Sequence, residues 1–423
     1  MSHYTIKHKT FLAGLLLAAF CPLVFSCSAP LEYHERIVAG GPSDFMEVRH
    51  IVLRGSNYEI GKKLAELAES HHNSGPLPSA NRADTEAQRQ YFQENYPAFY
   101  ERMRGVANAA EKDLEDNKWN FASLPYRSPT AGCTVVFYPP NTTEEGRGIM
   151  SRNFDFTTGT LNFFEQDEDV PPVCSRPYVI ELYPDTGYSS LVVCCFDLLG
   201  GACDGINSEG LTVALLADGS RGSIMDQKAN PSPGPRAGFN EIQIVRYLLD
   251  TCADIEDAKA ALQKAELYFR LIPCHYIIAD RQGRSFIWEN SLTMDRGHII
   301  EGGDEPLVTT NFLQHLNSDP GKYPVEGNPL GSFNRHRGIK SKISDNSGKM
   351  DRSFIRDTNK SVSLTHATQL DHTVTSRTLW HALYFPEELR MEIDFYLGEE
   401  PGQTESGVAP IRRSEYMTFT LVP

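Results

Sequence analysis

The chain has 423 residues, 40% of them hydrophobic and 22% charged, with 32 glycines, 26 prolines, 9 cysteines and a formal net charge of −15. That supply of apolar residues excludes a fibrous or collagen-like repeat and a wholly disordered tail, and the length excludes a small disulfide-stapled scaffold. An acidic surplus with no compensating basic run excludes a nucleic-acid partner, because phosphates are repelled by unpatterned carboxylates.

In chain order, the first segment reads as an export signal. Lys7 and Lys9 precede the apolar stretch FLAGLLLAAFCPLVF from Phe11 to Phe25, which suits a signal-peptide core and is short for a membrane span. It ends in Val24-Phe25-Ser26-Cys27, similar to a bacterial lipobox in which Cys27 is lipidated and becomes the first residue. Phe25 departs from that pattern, and plain secretion after cleavage near Ala29 is the alternative. Both readings predict an exported protein of the periplasm or outer membrane, touching a membrane only through a lipid anchor. Loss of residues 1–26 removes two lysines and no acid, taking the formal charge from −15 to −17.

A short strand is predicted from Val48 to Leu53. Asn57 to Ser70 then places Ile60, Leu64 and Leu67 on one helical face. A second helical stretch runs from Asp84 to Glu115, with a kink or boundary at Pro97. Beyond Cys133 the pattern changes to short β-rich runs, CTVVFY, GIMSRNFDF, YVIELY, SLVVCCFDL, LTVALLA, HYIIAD, SFIWEN, LVTT and MEIDFYL. Helical segments interrupt them from Asn240 to Leu267 and from Arg335 to Ile343, and the Pro/Gly-rich stretch Asn230 to Gly238 reads as a surface loop. Many mainly antiparallel strands with helices grouped between them predict an α+β fold.

With Cys21, Cys27 and Cys133 set aside, Cys174, Cys194, Cys195, Cys203, Cys252 and Cys274 remain. Six thiols allow up to three bridges or, equally, buried free cysteines. No CxxC, HExxH or histidine cluster has metal-ligand spacing, so neither metal nor other cofactor is expected.

The segment around Cys133 concentrates the chemistry. Gly132-Cys133-Thr134 opens a strand, and a second strand carries Arg152-Asn153-Phe154-Asp155. Regular alternation points Arg152 and Phe154 one way and Asn153 and Asp155 the other, so bringing Arg152 and Asp155 together requires a bulge or a strand end. Two further motifs are Gly-x-Asn-x-x-Gly-Leu from Gly205 to Leu211, a tight hairpin in which Asn207 sets backbone geometry, and Thr-Thr-Asn from Thr309 to Asn311.

On these four features, over most of residues 48–398, the chain resembles the N-terminal-nucleophile hydrolases of the linear amide type, the group of acid ceramidase, acyl-coenzyme A:6-aminopenicillanate acyltransferase, bile salt hydrolase and penicillin V acylase. LRGSNYEIGKKL, from Leu53 to Leu64, is similar to the front of the acyltransferase branch, where the nucleophile lies well inside the precursor. The resemblance implies a four-layer αββα sandwich and self-cleavage of the Gly132–Cys133 bond. It divides the chain into a signal (1–26), a mostly helical front segment (27–132) kept as a small subunit, and a catalytic piece (133–423), the two mature fragments forming a heterodimer.

It also implies roles. Cys133 is the nucleophile, with its freed α-amino group, of ordinary pKa about 7.7–8.0, as general base. Arg152 favours the thiolate, Asp155 accepts a hydrogen bond from the α-amino group, and Asn311 supports the tetrahedral intermediate, where one aimed donor is worth about 3–4 kcal/mol. Arg335 matches the later family arginine, with Arg337 its competitor. Where several relatives carry an oxyanion asparagine this chain has Ala217-Asp218, and Asp218 is assigned to a polar group of the substrate. Asp280 and Glu289 read as structural, and the loop from Phe156 to Phe164 with Tyr188 is expected to line the pocket. The implied activity is hydrolysis of an N-acyl amide with an apolar acyl group. Transfer of the acyl group to an amine, and a non-catalytic lipoprotein that binds amphipathic ligands, are the alternatives.

Overall fold

The computed structural model describes residues 30–126, 131–158, 171–172, 174–218, 237–269, 273–291, 296–323, 331–365, 376–400 and 410–423. The signal segment, Cys27 and positions 159–164 of the expected pocket loop lie outside them.

Two large sheets are stacked face to face. The first joins, in order, β1 (Glu32–Gly40), β2 (Glu47–Gly55), β7 (Tyr178–Pro184), β8 (Ser190–Cys194), β9 (Ala202–Asn207), β10 (Thr212–Ala217), β11 (Cys274–Ala279), β12 (Ser285–Ser291) and β13 (Arg296–Glu301). The second joins β14 (Leu307–Thr309), β5 (Ala131–Tyr138), β6 (Ile149–Thr157), β15 (Ser376–Phe385), β16 (Arg390–Glu399) and β17 (Ile411–Arg413), with β18 (Met417–Thr420) also on β16. A two-residue ladder, β3 (Leu77–Pro78) with β4 (Trp119–Asn120), completes the strands described.

Three apolar cores define four layers. The inter-sheet core packs Val135, Phe154, Trp380 and Ile393 against Val179, Leu191, Ala214 and Ile277. Outside the first sheet lie α1 (Asn57–His72), α2 (Arg82–Asn95), α3 (Pro97–Ala109), α4 (Gln243–Thr251) and α5 (Ile255–Lys264), whose Ile60, Phe92, Phe99, Leu248 and Leu262 share a core with Ile180, Val192 and Val213. Outside the second lie α6 (Ser332–Ser344) and α7 (Arg352–Lys360), with Ile339 and Ile355 against Val136, Ile149 and Leu383. This is the αββα sandwich. Strands covered on both faces explain why VIELY, LVVC and TVALLA are nearly continuous apolar runs.

The differences from expectation have local causes. Pro97 occupies the first turn of α3, where its missing N–H costs nothing, so the predicted kink is a break between two helices. Asp254 caps α5 through the Glu256 and Asp257 amides and divides the predicted Asn240–Leu267 helix. The front segment is helical, but it also supplies β1 and β2, and β2 pairs in parallel with β7. It is tied to the remainder by a fully buried ion pair, Arg102 to Asp250 at 2.6 Å. The pair depends on close packing of α1 on α3: a Cβ at Gly61 would meet Arg102 O at 2.1 Å, and one at Gly105 would meet Tyr58 O at 2.0 Å.

The seven described cysteines are all free and buried. Of the two readings left open, bridges or free thiols, the described cysteines take the second, and they are divided between cores, with Cys194, Cys252 and Cys274 on the helical side of the first sheet and Cys174, Cys195 and Cys203 between the sheets. In the second group the Cys195 sulfur is 3.5 Å from that of Cys174 and 3.3 Å from that of Cys203.

His381 on β15 is a buried titratable group with a calculable effect on stability. Its Nε2 is 2.9 Å from Ser151 Oγ and its Nδ1 2.6 Å from Tyr416 Oη, and burial pushes the imidazole down to about 3, with Asp394 a smaller opposing influence. The unfolded chain takes up this proton near pH 6.5 and the folded chain does not until about 3, so stability is complete above 6.5 and falls by up to about 1.4 kcal/mol per pH unit between them. Urea melts from pH 7 to pH 4 are expected to show this slope, and His381→Gln to flatten it by about that amount; equal slopes would assign the acid sensitivity to other groups.

Candidate active site

Cys133 enters the inter-sheet core from β5 and is fully buried. β5 and β6 run in unbroken register, with Gly132 opposite Asp155, Cys133 opposite Phe154 and Val135 opposite Arg152. The alternation read from the sequence therefore holds, and no bulge brings Arg152 and Asp155 onto one face. Arg152 reaches between the sheets: Nη2 is 3.7 Å from Cys133 Sγ and donates to Leu215 O of β10 at 3.1 Å, while Nε pairs with Asp204 of β9. Its Nη1 is buried without a hydrogen-bond partner among the described residues, and the Nε contact with Asp204 is an ion pair without hydrogen-bond geometry. Asp155 faces the opposite layer, where Oδ1 accepts from Thr378 Oγ1 at 2.5 Å and Oδ2 lies 3.4 Å from Arg335 Nη1.

The two faces meet at the backbone of Cys133. Arg335, aimed by the first turns of α6, donates to Cys133 O at 2.7 Å, to Thr134 Oγ1, and to Asn311 Oδ1 at 2.7 Å. Asn311 Oδ1 also accepts the Cys133 N–H at 2.6 Å, and Asn311 Nδ2 donates to Ala217 O at 2.7 Å. In the uncleaved chain the Cys133 nitrogen is thus held by Asn311 and not by Asp155. Ser332 and Thr310 fasten α6 to the end of β14 through hydrogen bonds of 2.9 and 3.1 Å. Glu289 anchors the loop after Asn311 by accepting the Gln314 and His315 amides at 2.6 and 3.0 Å. Its structural reading and that of Asp280, which accepts the Gln282 and Arg284 amides in its own hairpin, agree with this placement.

The electrostatics follow from burial. Desolvation pushes the Cys133 thiol up to about 11, against the opposing pull of Arg152 and Arg335. Burial also raises the Asp155 carboxyl, with Arg335 its strongest counterweight. The Arg152 guanidinium, despite desolvation, is held charged by Asp204.

Of the expected residues, Cys133, Arg152, Asp155, Asn311 and Arg335 are brought together around one residue. Arg337 is exposed and bonds Asn334 at 2.8 Å, so α6 presents Arg335. Asp218 is buried next to Ala217, its amide on Pro273 O at 2.7 Å and its charge felt by Cys274. Asn207 keeps its hairpin role, accepting the Glu209 and Leu211 amides and tying the turn to Leu249 O and Cys252 O. Tyr188 is a correction: its amide bonds Asp250 O of α4 and its charged neighbours are Glu209, Asp257 and Asp254, placing it on the outer helical side of the first sheet and away from Cys133. Phe156 packs in the inter-sheet core beside Phe154 and Phe196. Sequence reasoning missed Asp204 and Thr378; the one available signal was a carboxylate at Asp204 in the middle of the strand ACDGIN, which is apolar from Ala202 to Ile206 apart from it.

Two stacked sheets between helical layers, with a cysteine entering their shared core beside a glycine, are the architecture of N-terminal-nucleophile hydrolases, and the protein is an enzyme of that class. The family model described as Acyl-coenzyme A:6-aminopenicillanic acid acyl-transferase matches residues 142–400. The chain belongs to that family, a group of enzymes acting on linear amides. The matched stretch contains Arg152, Asp155, Asn311 and Arg335 and begins after Cys133. Similar solved structures include a variant of the conjugated bile acid hydrolase from Clostridium perfringens (13% identity, 68% of this chain and 96% of that one, TM-score 0.46). Others are penicillin V acylase from Agrobacterium tumefaciens (15%, 62% and 82%, 0.41) and the Caenorhabditis elegans ortholog of N-acylethanolamine-hydrolyzing acid amidase (15%, 60% and 93%, 0.37). No curated protein sequence matches the chain.

Proposed function

We propose that the protein is an exported, self-processing cysteine amidohydrolase that cleaves the amide bond of an N-acyl substrate with an apolar acyl group. The observation that carries this reading is that three groups of one residue have separate buried partners: the Cys133 nitrogen on Asn311, its carbonyl on Arg335 and its sulfur beside Arg152. A structural cysteine needs none of these, whereas an N-terminal nucleophile works with both its nitrogen and its sulfur.

In the precursor the Cys133 sulfur attacks the Gly132 carbonyl, the acyl group moves from nitrogen to sulfur, and the nitrogen leaves with a proton. Water then hydrolyses the thioester, giving a Gly132 carboxylate and a free Cys133 amine. A thiol pushed up to about 11 is protonated at neutral pH, and the freed amine, of ordinary pKa about 7.7–8.0, supplies the missing base. The same sulfur next attacks the substrate carbonyl, the amine proton passes to the leaving nitrogen, and water releases the acid. Arg152, whose Nη2 faces the sulfur and whose Nη1 has no hydrogen-bond partner among the described residues, is a donor for the oxygen that gains charge. Phe312 and Phe333, one and two residues from Asn311 and Arg335, pack with Tyr323 into a small buried apolar cluster, the apolar material from which an acyl site would be made.

The front segment stays bound after cleavage on this reading, supported by its two strands within the first sheet and the buried Arg102–Asp250 pair. Export, with Cys27 as the lipid-bearing residue, rests on the apolar leader. The family description supports a second outcome, in which an amine takes the acyl group in place of water. Processed protein is expected to release free amine from at least one of N-acyl amino acids, bile-acid amides, fatty-acid amides or phenoxyacetyl penicillins, and an added second amine reports transfer. Processed protein inert on the whole panel would refute the apolar-acyl assignment.

A further inference from the structure

We infer that Asp204 is a positioning residue that aims the Arg152 guanidinium at the Cys133 sulfur; this rests on the reading of Cys133 as the nucleophile.

Asp204 belongs to β9 of the opposite sheet, and both it and Arg152 are fully buried. One carboxylate oxygen pairs with Arg152 Nε and lies 3.4 Å from Trp380 Nε1; the other accepts from Tyr384 Oη. The carboxylate is therefore held by two groups of β15 as well as by the cation. The guanidinium carbon lies 4.8 Å from the centre of the Phe154 ring, which is itself stacked on Trp380 at 3.8 Å.

A guanidinium is a rigid planar fork, so fixing its plane and its Nε fixes both terminal nitrogens. The aromatic pair sets the plane, Asp204 sets Nε, and Leu215 O takes one bond from Nη2, leaving that same nitrogen facing the sulfur at 3.7 Å. Without Asp204 only the Leu215 bond and the ring face would hold Arg152, and a 3.7 Å contact has no reserve for rotation. Charge balance alone needs a carboxylate nearby. It does not need one oriented by a tyrosine and a tryptophan.

The experiment compares Asp204→Asn, Asp204→Ala and Tyr384→Phe with wild type. It reads the pH dependence of Cys133 alkylation by iodoacetamide in processed protein, located by peptide mass, together with kcat and KM on a cleaved N-acyl amide. Asparagine keeps an oxygen against Arg152 Nε and is expected to keep kcat within about fivefold, whereas alanine loses about a hundredfold at similar KM, the cost of a misplacement of about 1 Å. The alkylation inflection moves to higher pH in the alanine variant and, by less, in Tyr384→Phe, because a displaced guanidinium no longer favours the thiolate. An unmoved or lowered inflection in both variants overturns the inference, as does an asparagine variant as impaired as alanine. If Asp204→Ala does not fold, Tyr384→Phe, which leaves the ion pair in place, decides by the same inflection. Failure of the underlying reading looks different: wild-type protein then never presents Cys133 as an N-terminus.

Discussion

Cys133→Ala is expected to remain a single chain under denaturing conditions, while wild type separates into two fragments, the larger running from Cys133 to Pro423. The variant keeps the backbone contacts to Asn311 and Arg335, because both are made by the residue 133 main chain; it loses only the sulfur. The side chain replaced is fully buried in an apolar core beside Phe154, so exchanging sulfur for hydrogen costs about 1–2 kcal/mol of packing and leaves the fold intact. Turnover should fall by about 10⁶-fold, the order seen when a covalent nucleophile is deleted. N-terminal sequencing of the larger wild-type fragment must return Cys133-Thr134-Val135. Cleavage of the alanine variant at the same bond would mean that an outside protease makes the cut and that the sulfur has no part in it.

What could be read from the amino acids was what lies close in sequence. Gly132-Cys133-Thr134 and the strand bearing Arg152 and Asp155 pair in simple register, so their faces followed from alternation alone. Strands buried on both sides announced themselves as apolar runs. β15 did not: SRTLWHALYF mixes Arg377 and His381 into a strand that is nonetheless buried along its length, with Arg377 paired to Glu399 of β16 and His381 bonded to Tyr416. The same holds for the site. Asp204 and Thr378 contact Arg152 and Asp155 across separations that no local pattern encodes, and the need for a bulge vanished once Arg335 and Asn311 were seen to join the two faces through the Cys133 backbone. The alternation was sound; the assumption that Arg152 and Asp155 must touch was not.

Arg335→Ala is expected to damage processing, turnover and stability together, and the pH dependence of the stability loss separates its causes. Arg335 donates to Cys133 O and to Asn311 Oδ1 and lies beside Asp155, and Asn311 Oδ1 in turn holds the nitrogen of the bond to be cut, so its loss loosens Cys133 on both sides, and processing should slow at least a hundredfold. It is also the strongest counterweight to the burial that raises the Asp155 carboxyl. Without it, Asp155 is a buried carboxylate that among the described residues keeps Thr378 as its close donor, a situation that costs about 3–5 kcal/mol. The sign is fixed by linkage: in the variant the folded state holds the Asp155 proton to higher pH than the unfolded chain, whose carboxyl titrates near 3.9, so the stability deficit is small at pH 4 and grows as the pH rises. Urea melts of wild type and Arg335→Ala at pH 4.5 and pH 8 should therefore diverge most at pH 8. Adding Asp155→Asn to Arg335→Ala removes the stranded charge and should recover most of the stability at pH 8 while leaving processing as slow as before. Recovery of processing in that double variant would show that Arg335 serves only to neutralise Asp155, and that the Cys133 carbonyl needs no donor.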